Sequence, residues 1–370
     1  ADRPGYDLVA DSTELTRLEP IRLGISAAVL PACVRSQPPG PCLPPSFNSM
    51  SLKSSCTPRE SVFAADRRAT VLSLDTFLKG QVHGADFFEE NYFTNGMLTL
   101  VDRAFRHLAG SGAGSSVFLL SQAMGGGKTH SMIGLGLLAR DPELRRRVLG
   151  DKDPAPKLGR CRVVGFNGRS TDAPGGIWGS IAEQLHRAEQ FTRYVSPLLS
   201  APGPEAWKQL LGGDPLVLFL DELPPYLEYA VAVPVGNADL GVVTTTALAN
   251  LFVAVAELDN VCLVLSDLAG TNFSIGQANL QAAFGRAVQG ISAESKRIAV
   301  PITPVNPNGD ELYHILRKRL FKAVAPQPEI ERVAAAYRDA LRDAVRMNLT
   351  STTPESLYSR VTDAYPFHPD

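Results

Sequence analysis

The chain has 370 residues, 44% hydrophobic and 20% charged, with a formal net charge of −2. That is enough for one large globular domain with helical additions, and the near-neutral balance excludes a chain that is polybasic throughout while leaving local basic patches open. No run of about 18 apolar residues occurs, so no membrane-spanning helix is expected, and five cysteines without a CxxC pair exclude a disulfide framework or a zinc site.

Residues 1–49 lack periodicity. Within them, residues 36–45 (Ser-Gln-Pro-Pro-Gly-Pro-Cys-Leu-Pro-Pro) deny both helix and central strand, because proline donates no backbone hydrogen bond. This stretch reads as a disordered or non-native leader, with Met50 as an alternative start. Residues 24–33 have a short signal-like apolar core. Acidic residues precede it and nothing downstream looks secreted, so the expected compartment is the cytoplasm. Cys161 and Cys262 sit in apolar runs and read as buried thiols of a reducing environment. The chain opens at Ala1 and stops at Asp370 just after a helical pattern, which reads as a fragment of something longer.

Residues 50–110 predict an N-terminal helical segment. Val71, Leu74, Phe77 and Leu78 share one helical face, and residues 96–109 predict a second helix. The aromatic stretch 87–96 reads as a turn region between them. From 111 to 305 the pattern is that of an α/β core, with apolar strands at 116–120, 162–166, 216–220, 261–265 and 298–302. Helices are expected at 128–140, over Ile177–Leu185 and at 247–258. Continuous apolar strands separated by helices imply a parallel sheet covered on both faces. Residues 306–370 predict a helical lid, cut short at the chain end. Asp310 is expected to cap a helix running to residue 323, followed by helices at 328–347 and 353–364. Arg145, Arg146 and Arg147 close a helix begun near Asp141 and are expected to answer its dipole. The histidines show no ligand pair at helical spacing.

The chemistry concentrates at three strand ends. Residues 121–129 (Ser-Gln-Ala-Met-Gly-Gly-Gly-Lys-Thr) follow a strand and open a helix, the context a P-loop, or Walker A motif, requires. Gly125, Gly126 and Gly127 let backbone amides turn toward phosphate oxygens, and the helix N-terminus adds a favourable dipole. Lys128 would reach the β- and γ-phosphates of ATP, and the Thr129 hydroxyl would ligate Mg²⁺. The common pattern has glycine where this chain has Gln122. The plainer reading is a glycine-rich strand-to-helix turn.

Residues 216–222 (Leu-Val-Leu-Phe-Leu-Asp-Glu) form the Walker B pattern: an apolar strand ending in two carboxylates. Asp221 would hold the magnesium, and Glu222 would take a proton from the attacking water. Ser266, ending the strand at 261–265, reads equally as a γ-phosphate sensor or as a simple Ser-Asp turn. Arg286, Arg297, Arg317 and Arg319 are candidates to neutralise γ-phosphate charge, in cis or from a neighbouring subunit of a homo-oligomer; taken singly, each reads as a solvated helix face. Glu222 in the hydrolytic position argues for an ATP hydrolase over a phosphotransferase.

This order of P-loop, intervening strand, Asp-Glu strand, polar strand end and helical lid resembles the AAA+ P-loop ATPases. More narrowly, the chain is similar to a large bacterial and archaeal ATPase family of unknown function found in phage-defence gene clusters. The segments that carry the likeness are 56–59 (Cys-Thr-Pro-Arg), Phe87-Phe88, 91–96 (Asn-Tyr-Phe-Thr-Asn-Gly), Gln122 through His130, Asp221-Glu222, 315–321 (Ile-Leu-Arg-Lys-Arg-Leu-Phe) and 365–369 (Tyr-Pro-Phe-His-Pro). Within that family's pattern Gln122 belongs, and the chain continues well beyond this point. The resemblance implies ATP-dependent work on DNA or beside DNA-modification or helicase partners. A nucleotide-dependent switch or scaffold with slow turnover is the alternative.

Overall fold

Alternate residues along a strand point to opposite faces of its sheet, so a strand apolar at every position must be covered twice. The computed structural model describes residues 55–63, 72–110, 115–122, 125–267, 278–306 and 310–369. It contains a sheet of five strands: β1 (Val117–Leu120), β2 (Arg162–Asn167), β3 (Leu216–Asp221), β4 (Val261–Ser266) and β5 (Val300–Ile302). Every pairing in it is parallel, and the order is β2-β3-β4-β1-β5. Leu216, Leu218 and Leu220 of β3 face one core, while Val217 and Phe219 face the other. On β4, Val261, Leu263 and Leu265 join the first core, and Cys262 and Val264 the second.

The second core is closed by α1 (Leu74–Leu78), α2 (Gly84–Glu90), α3 (Asn95–Leu108), α4 (Lys128–Arg140) and α5 (Pro142–Leu149). The first is closed by α6 (Gly176–Gln184), α7 (Ala188–Val195), α8 (Pro204–Leu211), α9 (Leu223–Ala230), α10 (Leu240–Ala256) and α11 (Ala278–Ile298). The helix leaving β1 and the helix entering β5 therefore lie on opposite faces. Beyond the sheet come α12 (Glu311–Leu320), α13 (Gln327–Arg346) and α14 (Pro354–Ala364). Residues Met50–Asp370 group as one compact unit. The expected leader, residues 1–49, lies outside the described residues, as does Val71 of the expected first helix face. Among the described residues no helix is long and apolar enough to cross a membrane.

Several local expectations change. The aromatic stretch at 87–96 is half helix: α2 runs through Glu90, because Phe87 is pulled into the core while Phe88 stacks on Phe93 with ring centres 5.0 Å apart. Asp310 makes no side-chain cap, and α12 stops at Leu320. The next residues, Phe321–Ala323, pair antiparallel with Thr57–Pro58, a long-range strand pairing that overrides helix propensity. Ile298 ends α11, and β5 starts at Val300. Arg145 is no dipole partner on the surface. Its side chain is fully buried, over the Phe105 ring and paired at 3.1 Å with Asp153.

The same pairing gathers segments far apart in the chain. Arg59 donates to the Lys318 carbonyl at the end of α12 and to Glu89 of α2. The Phe367 ring sits near those of Tyr313 and Phe321. The residues at 56–59, 315–321 and 365–369 thus form one neighbourhood.

Candidate functional site

In open parallel sheets, ligands bind beyond the carboxyl ends of the strands, where connections leave to opposite faces. Strand β1 is such a place. Register aligns Leu120 with Ser266 on one side and Ile302 on the other, and aligns Asn167 with Asp221. The residues that follow these ends share one rim.

The glycine-rich turn leaves β1 at this rim. Gly125 and Gly127 have φ of 81° and 82°, the left-handed region a side chain disfavours. Ala123 and Met124 of the expected motif lie outside the described residues. Helix α4 starts at Lys128, so its first, unpaired amides face the turn. Lys128 Nζ donates to the Gln122 carbonyl at 2.6 Å. The Gln122 side chain turns the other way. Its Nε2 donates to the Val305 carbonyl (2.8 Å), and its Oε1 accepts from the Val305 amide (2.9 Å).

The carboxylates stand opposite. Thr129 Oγ1 donates to Asp221 Oδ2 at 2.6 Å. Asp221 is 2% exposed. Burial pushes its carboxyl pKa up, and hydrogen bonds from Thr129 and Ser266 pull against that shift. Glu222 adopts φ 48° and ψ 42°, a conformation that is costly for a residue with a side chain. Two bonds hold it there: its amide donates to Asp221 Oδ1 and to Ser266 Oγ, each at 3.0 Å. Ser266 therefore helps shape the Asp-Glu turn.

The Glu222 carboxylate faces Arg169, which donates through Nη2 to Oε1 (3.1 Å) and through Nε to Oε2. The pair holds the Arg169 guanidinium pKa above its ordinary value. Arg169 was not among the sequence candidates. It lies two residues past Asn167, the register partner of Asp221, a placement that only the strand pairing reveals.

His130 follows Thr129 on α4. Burial, and secondarily the charge of Arg319, lower its pKa to about 4. A guanidinium only donates, so His130 Nε2 accepts from Arg319 Nη2 at 2.9 Å, which places the ring proton on Nδ1. Of the four arginine candidates, Arg319 alone is seen at the rim. Arg317 donates to the Asp363 carbonyl, Arg297 pairs with Glu294, and Arg286 is exposed on α11. A cavity of about 410 Å³ lies over the turn, between Gly125–Gly127 on one wall and Phe87, Tyr92, Leu312 and Ile315 on others. Gln122, Gly125, Gly126, Gly127, Lys128, Thr129, His130, Asp221, Glu222 and Ser266 are all brought to this rim.

Among the described residues no three His, Cys, Asp or Glu side chains gather to hold a metal by themselves. A hydroxyl and a buried carboxylate in contact suit a hard cation such as Mg²⁺. That ion keeps several waters and takes few protein ligands alongside substrate phosphates.

Fold and rim define a parallel α/β protein whose polar side chains converge at the carboxyl ends of β1, β3 and β4. Residues 81–153, spanning α2 to α5 and including the glycine-rich turn, match the family model described as the DUF499 N-terminal domain, a family found in large ATPase-like proteins. No curated protein matches the chain.

Proposed function

We propose that this chain is a P-loop ATPase of the AAA+ kind that binds MgATP at Gly125–Thr129 and hydrolyses it with Glu222. The observation that carries the reading is the Thr129–Asp221 contact. It joins the first turn of α4 to the end of β3 across an intervening strand, bringing together two residues 92 positions apart that the reading assigns to magnesium. The amides at the start of α4 and the Lys128 ammonium would take the phosphates, and Thr129 and Asp221 the magnesium. Bound magnesium would neutralise charge on the β- and γ-phosphates. A water attacking the γ-phosphorus forms the new P–O bond as the bond to the β-phosphate oxygen breaks, and its proton passes to Glu222.

The work coupled to this turnover is proposed to be remodelling of DNA, or of a DNA-bound partner, in phage defence. That part is supported by the family resemblance. Steady-state ATP turnover with and without duplex DNA tests it: stimulation by DNA is expected, and a rate blind to DNA would remove DNA from the proposal.

One observation favours the second reading, a slow switch. The proposed base, Glu222, is held by Arg169 through two N–H groups. A stimulated rate many-fold above the basal one would argue against that reading.

A further inference from the structure

A glutamine in place of the first P-loop glycine has to be accommodated, and the surroundings show how. A Cβ built on Gly126 would lie 2.4 Å from Gln122 Cγ and 2.5 Å from its Cδ. Gly126 is therefore the residue that gives the Gln122 side chain its room. The side chain uses that room for a two-bond amide bridge to Val305, matching one backbone donor and one backbone acceptor. A glycine at 122 can form neither bond.

Val305 belongs to residues 303–306, the stretch that follows β5. The far side of this stretch is also held. Thr94 Oγ1 donates to the Pro304 carbonyl. Glu311, the first residue of α12, is 7% exposed, and its carboxylate accepts from the Asn95 amide (2.6 Å) and the Asn306 amide (2.8 Å). The 303–306 stretch is thus pinned to the glycine-rich turn on one side and to α3 and α12 on the other. The backbone carbonyl of the same Gln122 accepts from Lys128 Nζ. An anion that draws Lys128 away acts on the residue that also grips Val305.

We propose that Gln122 is a positioning residue that couples the glycine-rich turn to residues 303–306 and, through Glu311, to α12, so that phosphate at the turn is felt as a change of order in that stretch. The coupling rests on the nucleotide reading above; the bridge itself does not. Gln122 and Gly126 form a matched pair: the amide works only because position 126 carries no side chain.

Hydrogen exchange on the chain with and without MgADP tests this, comparing the native protein with Gln122→Met, which keeps length and loses the amide. In the native protein, MgADP is expected to change exchange across 303–306. In Gln122→Met that segment exchanges about tenfold faster without nucleotide, as loss of the bridge predicts. It also no longer responds to MgADP, while the amides of residues 125–129 still do. Unchanged exchange across 303–306 in the variant, or a retained response there to MgADP, overturns the proposal. Failure of the native protein to bind MgADP instead sinks the nucleotide reading and the coupling with it, whereas binding without a response at 303–306 sinks the coupling alone. A second variant pair covers the case in which Gln122→Met folds poorly. Gly126→Ala should weaken MgADP binding about tenfold in the native background and much less beside Gln122→Gly, where the colliding side chain is gone. Equal losses in both backgrounds overturn the pairing.

Discussion

The two sides of the rim are built from different materials. On the β3–β4 side, charged and hydroxyl groups meet directly: Thr129 with Asp221, Ser266 beneath Glu222, Arg169 across from it. On the β5 side, side chains grip backbone: Gln122 on Val305, Thr94 on Pro304, Glu311 on the amides of Asn95 and Asn306. The first side carries the groups proposed to react. The second supplies geometry, fixing where α12 sits over the cavity. Charge on the first side should control turnover, and amide chemistry on the second should control stability and local order.

The largest expected effect lies on the reactive side. Glu222→Gln should lower ATP turnover by roughly 10²-fold or more, the scale of a lost general base, with nucleotide binding retained. Single-turnover kinetics check it, and turnover equal to native would remove Glu222 from that role.

The next effect belongs to His130, at the boundary of the two sides. Its folded pKa of about 4 lies below the ordinary 6.5, so the unfolded chain binds the proton more readily. Its contribution to stability is fully present above pH 6.5 and is lost as pH falls from 6.5 through 4. The upper limit is about 3 kcal/mol. The raised carboxyl pKa of Asp221 acts in the opposite sense, favouring the fold as pH falls. Urea unfolding at pH 7 and pH 4.5 should show a larger drop for the native protein than for His130→Gln; equal drops would remove this contribution.

Glu311→Ala probes the geometric side. It strips two backbone amides of their acceptor and should cost about 2 kcal/mol in unfolding experiments, with little effect on the chemistry of Glu222. A change below a few tenths would show that the amide contacts do not hold this side together.

The smallest effect is expected at Arg169. The ion pair is exposed, so its worth is modest, about 1 kcal/mol at most. Arg169→Ala should free Glu222 and raise basal turnover up to about fivefold. A fall in turnover would mean that Arg169 acts on the reaction itself rather than restraining Glu222.

What the sequence made legible follows the same division. The strands of the sheet, the helix at Lys128–Arg140 and the rim residues at Asp221, Glu222 and Ser266 were readable because apolar runs and motif spacing are local properties. The grip of Gln122 on Val305 was not readable, since it spans 183 residues and a glutamine carries no label for its partner. The same holds for Arg169 on Glu222, and for Thr57–Pro58 pairing with Phe321–Ala323, which ended a helix expected to run on. Buried Arg145 shows the converse. Its neighbours Arg146 and Arg147 lie on the solvated face, and nothing in an Arg-Arg-Arg run tells which one turns inward onto Asp153.

The proposed function stands or falls on whether Gly125–Thr129 holds a nucleotide phosphate chain. Titrating the purified chain with MgATP by calorimetry, beside Lys128→Ala, tests it most directly. Saturable one-site binding that depends on magnesium and is lost in Lys128→Ala is expected. Absence of binding to the native chain, or equal binding to both proteins, would contradict it.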